Sequence, residues 1–204
     1  MRYRPWVMVI LTALSQPAWG QESFKGCGME GDARAANVRA LNRLKNRYTE
    51  PPSINPGITL EAILAPGDDR TRWKTRDGAE VVGYVADVKV GGVETCNCHA
   101  RAPIDRDTHI ELCLHPMDGN ERRVIVEVTP RWRAMMAAKG LDWTTDGLRR
   151  AFLGRWVRVR GWMLFDAEHR NQAENTAPGK PRNWRATAWE IHPVTSIEVT
   201  TRPQ

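Results

Sequence analysis

The hydrophobic period of this chain changes twice, and that change bounds what it can fold into. In several runs between residues 81 and 128 apolar side chains recur at every second position, as strands require. Val82, Tyr84, Ala86, Val88 and Val90 share one face of the run 81–90, and Gly91-Gly92 turns the chain into a second strand-like run, 93–99. Ile110, Leu112 and Leu114 line one side of 109–115; Val124, Val126 and Val128 point inward from 123–128. At Thr129-Pro130, a hydroxyl cap followed by proline at the first helical position, the period becomes helical and holds to Gly140. A second helix starts near Thr144 and stops at Gly154. Alternation then returns in 156–166 and 185–194, with an extension at 197–199. The polar loop between them, 167–184, is long enough to suggest a function.

The first twenty residues read as an address. Arg2 and Arg4 precede the apolar run 6–14, and Ala18-Trp19-Gly20 offers small residues for a signal peptidase. That run is far shorter than the roughly 20 residues a spanning helix needs. The sequence therefore predicts export, to the periplasm or the extracellular space, after cleavage near Gly20. Of 30 Lys+Arg and 24 Asp+Glu, cleavage removes two arginines and no acid, leaving 28 − 24 = +4. So mild an excess does not by itself argue for a nucleic-acid partner. The four cysteines become disulfide material in an oxidising compartment, and the expectation is one bond from Cys27 to Cys96 or Cys98. Zinc binding through the Cys-x-Cys-His run is the weaker reading, because no second paired-ligand motif completes it.

Residues 21–57 read as an arm. Val38, Leu41, Leu44 and Tyr48 recur at helical spacing among five basic residues, and Pro51-Pro52 and Pro56-Gly57 form a stiff linker. Residues 58–204 make the remaining domain.

Three strands, a helical stretch and two strands, with Gly83 in a long first strand, is the order of an OB-fold barrel. The span 79–199 resembles OB-fold domains of small exported bacterial proteins. The junction Phe152-Leu153-Gly154-Arg155-Trp156-Val157-Arg158-Val159-Arg160-Gly161 carries that likeness most strongly. Trp189-Glu190-Ile191-His192-Pro193-Val194 resembles the closing strand of an exported group without an assigned activity. The resemblance implies a mainly β chain: a five-stranded OB-fold-like barrel with a helical insertion before the last two strands, plus the N-terminal helical arm.

Three constellations could carry function. Trp156, Arg158, Arg160 and Trp162 share one strand face, an aromatic–basic stripe of the kind that stacks bases and meets phosphates. Arg158, Arg160 and Trp162, with Trp184 and Arg185, form the candidate surface for an anionic polymer, single-stranded nucleic acid first and oligosaccharide second. The alternative is that the tryptophans pack while the arginines are solvated. His109 and Glu111, completed by His99 from a neighbouring strand, could take a divalent ion. His115 lies about 20 Å along the strand from His109, too far to share it. Glu190 and His192 share a face of the last strand, and with His169 they are the candidates for acid–base chemistry.

Staphylococcal nuclease, an OB barrel that cleaves phosphodiesters with a carboxylate-bound metal and paired arginines, is similar in residue types (Asp105, Asp107, Glu190, Arg185) without a motif match. A metal-dependent hydrolase of phosphodiesters is therefore the alternative function, and an envelope module without a small ligand is a third. No nucleophile elbow, Walker loop or dinucleotide fingerprint is present, so no cofactor is specified and the balance leans away from an enzyme.

Overall fold

The structure is a computed structural model that describes residues 23–203; the leader at 1–20 lies outside the described residues. Its centre is a closed barrel of five strands: β3 (Gly78–Val90), β4 (Thr108–Cys113), β5 (Val124–Val128), β6 (Trp156–Phe165) and β7 (Trp189–Val199). Around the barrel the order is β3-β4-β5-β7-β6. Closure depends on the length of β3. Its first half pairs with β6, from Gly78↔Trp162 to Tyr84↔Trp156, and its second half with β4, ending at Val90↔Thr108. β5 and β7 run parallel, with Ile125 opposite Glu190 and Val126 opposite Ile191; the other barrel pairs are antiparallel.

Alternation fills the inside. Val81, Val85, Ile110, Leu112, Val124, Val126, Val157, Val159, Met163 and Ile191 are buried in one apolar cluster. Gly161 lets β6 approach β7, because a Cβ there would lie 2.4 Å from the Pro193 carbonyl oxygen.

Two helices separate β5 from β6, α3 (Pro130–Ala137) and α4 (Thr145–Phe152). The Thr129 hydroxyl accepts from the Trp132 N–H, as expected, and the Thr144 hydroxyl caps the second helix by accepting from the Gly147 N–H. Trp132 is fully buried in the barrel's apolar cluster.

The arm contains a small hairpin, β1 (Ser23–Phe24) with β2 (Cys27–Gly28), and the helix α1 (Ala36–Lys45). A short helix, α2 (Leu60–Leu64), follows the linker and buries Leu60 and Ile63. The arm lies on the barrel: Arg47 donates to the carbonyls of Thr75, Met163 and His192, and Trp132 Nε1 donates to the Arg47 carbonyl.

The run 93–99 is not a strand. It forms a 3-10 turn, Thr95–Asn97, with Cys98 and His99 in left-handed backbone. Cys98 is bonded to Cys27, one of the two pairings expected, whereas Cys96 and Cys113 are free and buried. The turn and the arm touch so closely that a Cβ on Gly31 would sit 1.8 Å from the Thr95 carbonyl oxygen. Among the described residues, no helix is long and apolar enough to cross a membrane.

Candidate metal centre

Every residue of β4 and β5 is buried, as are the first seven of β7. One side of each strand faces the apolar interior. Its other side carries His109 and Glu111 on β4, Glu127 on β5, and Glu190 and His192 on β7. That charged outer face is roofed by the end of α1, the turn at 94–98 and the segment 166–188.

His109 and Glu127 are register partners across β4 and β5, and His109 Nε2 lies 3.1 Å from Glu127 Oε1. The two form a close charge pair, and His109 Nε2 has no other partner among the described residues. His192 is completely buried, with Nδ1 3.4 Å from both Glu127 Oε2 and Glu190 Oε2 and Nε2 3.9 Å from Asp107 Oδ2. Ligand atoms of Asp107, Glu127 and His192 lie within 4.8 Å of one another. Asp107 Oδ1, Glu127 Oε2 and His192 Nε2 are buried without hydrogen-bond partners. Such orphaned groups are rare in native proteins and demand an explanation.

The charges around this point do not balance. Glu94, Asp107, Glu127, Asp166 and Glu190 are five carboxylates, and the permanent cations paired with them are Lys45 and Arg185. Lys45 Nζ lies 2.5 Å from Glu94 Oε2; Arg185 reaches Glu190 at 2.5 Å and Asp166 at 3.0 Å. Arg133 donates instead to the Ile104, Arg106 and Trp143 carbonyls and to the Thr108 hydroxyl. A deficit of this size in a dry site is filled by protons or by a metal ion.

Without a metal, protons fill it. Burial disfavours a charged His109, but the Glu127 carboxylate outweighs it and the ring is pushed up to about 9. His192 is raised in the same way, burial being outweighed by Glu127, Glu190 and Asp107. Burial pushes Asp107 up to about 6 against the pull of His192. Glu190 is raised by burial, Glu127 and Asp166. Burial would also raise Glu127, yet His109 and His192 hold it well below the usual carboxylate range.

At the edge of the roof, Asp166 takes a short contact from His169 Nδ1 and the guanidinium of Arg185. Desolvation by burial raises Asp166, but the His169 hydrogen bond, Lys45 and Arg185 overcome it and lower the group. Trp184 lies over this corner. Arg185 sits 4.4 Å from its ring centre, His109 lies nearly parallel to it at 6.4 Å, and His169 meets it edge-on.

The structure thus brings Glu190, His192, His169 and Arg185 into one network with His109, beneath a roof rather than around an open cleft. Trp184 belongs to that roof. His99 and Glu111 stand elsewhere: His99 Nδ1 is 2.7 Å from Asp32, and Glu111 is held by Lys89 and by Arg123 at 2.8 Å. Asp105 pairs with Lys25. On β6, Arg158 and Arg160 both reach Glu80, and Trp162 donates to the Thr49 carbonyl beneath the Arg47 guanidinium. Sequence reasoning missed Glu127 and Lys45. Glu127 had a signal: a lone acid inside Val-Ile-Val-Glu-Val, where an exposed strand face would carry more than one polar side chain. Compared with known proteins, the chain matches no protein-family model and no curated protein.

Proposed function

We propose that this is an exported barrel protein of OB type that binds a divalent cation on the roofed outer face of β4, β5 and β7. Asp107, Glu127 and His192 are the ligands, and His109 stands ready to complete the set. The two helices between β5 and β6 are then an insertion into the five-stranded plan. The strand order 1-2-3-5-4 with a parallel pair between the third and fifth strands supports the OB assignment, and the disulfide is compatible with export.

The observation that carries the reading is the convergence of three buried side chains, each of which also keeps one polar atom without a hydrogen-bond partner. Two carboxylates and an imidazole suit a zinc-class ion better than magnesium, which keeps its water and favours oxygen. Such an ion would neutralise the carboxylates, release protons from the histidines and tie three strands together. The ligand side chains are buried beneath the roof, which supports cation binding rather than hydrolysis of a polymer. The stripe on β6 finds its arginines and Trp162 engaged within the chain, so no observation favours a polymer ligand over the cation.

Calorimetric titration of Zn²⁺ into metal-free protein tests this. The expected result is at least one equivalent bound, with a melting temperature that rises with zinc concentration as linkage requires. Asp107→Asn should remove the binding and the shift together while leaving the circular dichroism spectrum unchanged. Zinc that neither binds nor moves the melting temperature refutes the proposal.

A further inference from the structure

Beside the first ligand group lies a second one that shares a member with it. Ligand atoms of Glu94, Cys96 and Asp107 also lie within 4.8 Å of one another. Cys96 Sγ is 3.4 Å from Glu94 Oε2 and 3.8 Å from Asp107 Oδ2. Cys96 is 2% exposed, and its thiol remains free although a disulfide is formed two residues away. Asp107, fully buried between the groups, keeps Oδ1 without a partner. A surface cavity of about 280 Å³, lined by Lys25, Cys27, Asn46, Cys96, Cys98 and Arg131, opens beside the turn at 94–98.

We propose that Asp107 bridges two cation positions, and that the second, framed by Cys96 and Glu94, takes a thiophilic d¹⁰ cation such as Cd²⁺ or Zn²⁺. This rests on the first position being a cation site. On binding, the Cys96 S–H bond breaks, a metal–sulfur bond forms and the proton leaves to solvent, so the positive charge gained is one unit for a divalent ion. A thiolate beside carboxylates selects soft cations over the hard ones that oxygen ligands alone would admit. Lys45, whose ammonium already holds Glu94, opposes the second cation, which makes this position the weaker of the two. Cys96 rather than the other free thiol is the ligand, because Cys113 Sγ is directed at the Tyr84 and His115 carbonyls.

The test is a Cd²⁺ titration of the disulfide-intact chain, followed by calorimetry and by the near-ultraviolet charge-transfer band of a cadmium–thiolate bond. Two equivalents are expected, the second weaker and accompanied by the band. Cys96→Ser should lose the band and one equivalent, and Cys113→Ser should keep both. One equivalent without a band overturns the second position and leaves the first standing. One equivalent with a band overturns the bridged pair by placing the single cation on sulfur. No binding at all refutes both positions.

Discussion

The barrel has two outer faces that read alike in sequence and behave differently in space. On β6 the outward positions are Trp156, Arg158, Arg160 and Trp162; on β4, β5 and β7 they include His109, Glu111, Glu127, Glu190 and His192. Both alternate polar residues with a buried apolar set. The β6 face stays partly open to water, and its arginines share Glu80 with a further contact from Arg158 to Glu198 at 3.6 Å. The other face is roofed, and charges that would be unremarkable in solvent must there be matched within the protein. Cover, rather than composition, turns a polar strand face into a site.

The roofed face holds its most buried ion pairs at Arg185. Arg185→Ala strips the partner from Asp166 and Glu190, both almost completely buried, and should cost roughly 3–5 kcal/mol in chemical denaturation. A loss below 1 kcal/mol would mean that water reaches this face and that the roof does not seal it.

The roof itself depends on the Cys27–Cys98 bond, which closes a sequence separation of 71 residues and ties the arm's hairpin to the turn bearing Glu94 and Cys96. Its reduction should cost about 2–4 kcal/mol. Hydrogen exchange should then quicken at 94–100 before it does in β6; uniform quickening would show that the roof and the open face are not separate units.

A gentler probe is pH. His109 titrates near 6.5 when unfolded and at about 9 when folded, so its stabilising share is complete below 6.5 and lost as pH rises through about 9. Asp107, raised to about 6, acts in the same direction at lower pH, because its ionisation is disfavoured in the folded state. Glu127, Glu190, His192, Lys45, Glu94 and Cys96 face the same point and shape the curve. Metal-free protein should lose up to roughly 3 kcal/mol between pH 6.5 and 9. Zinc-loaded protein should be flat or rise over that range, since alkaline pH frees the imidazoles to ligate. Identical profiles with and without zinc would separate these protons from the cation.

The smallest effect belongs to the open face. Arg158→Ala should change stability by at most about 1 kcal/mol, as exposed pairs do. A larger loss would show that the β6 stripe is not the solvent-screened face described here.

Much of this fold is legible in the chain. The caps at Thr129 and Thr144, the alternation of β6 from Trp156, and the shared face of Glu190 and His192 follow from local pattern alone. The turn at 94–98 does not. Its residues look extended, but the disulfide and the close contact with Gly31 set its backbone. The site is only half legible for a similar reason. Glu190, His192, His169 and Arg185 lie within 24 residues, whereas Lys45, Asp107 and Glu127 join them through arm docking and strand pairing across the barrel. The Asp69 contacts to Thr187 at 2.5 Å and to Asn175 at 2.7 Å, which hold the long loop, are likewise invisible from either segment alone.

The metal-edge X-ray absorption spectrum of protein loaded with one equivalent of zinc reads the donors of Asp107, Glu127 and His192 directly. The expected spectrum shows a four- to five-coordinate shell of nitrogen and oxygen donors at about 2.0–2.2 Å, with imidazole outer-shell scattering that weakens in His192→Gln. A shell of water oxygens without imidazole, or a spectrum unaltered by that substitution, would contradict the proposed site.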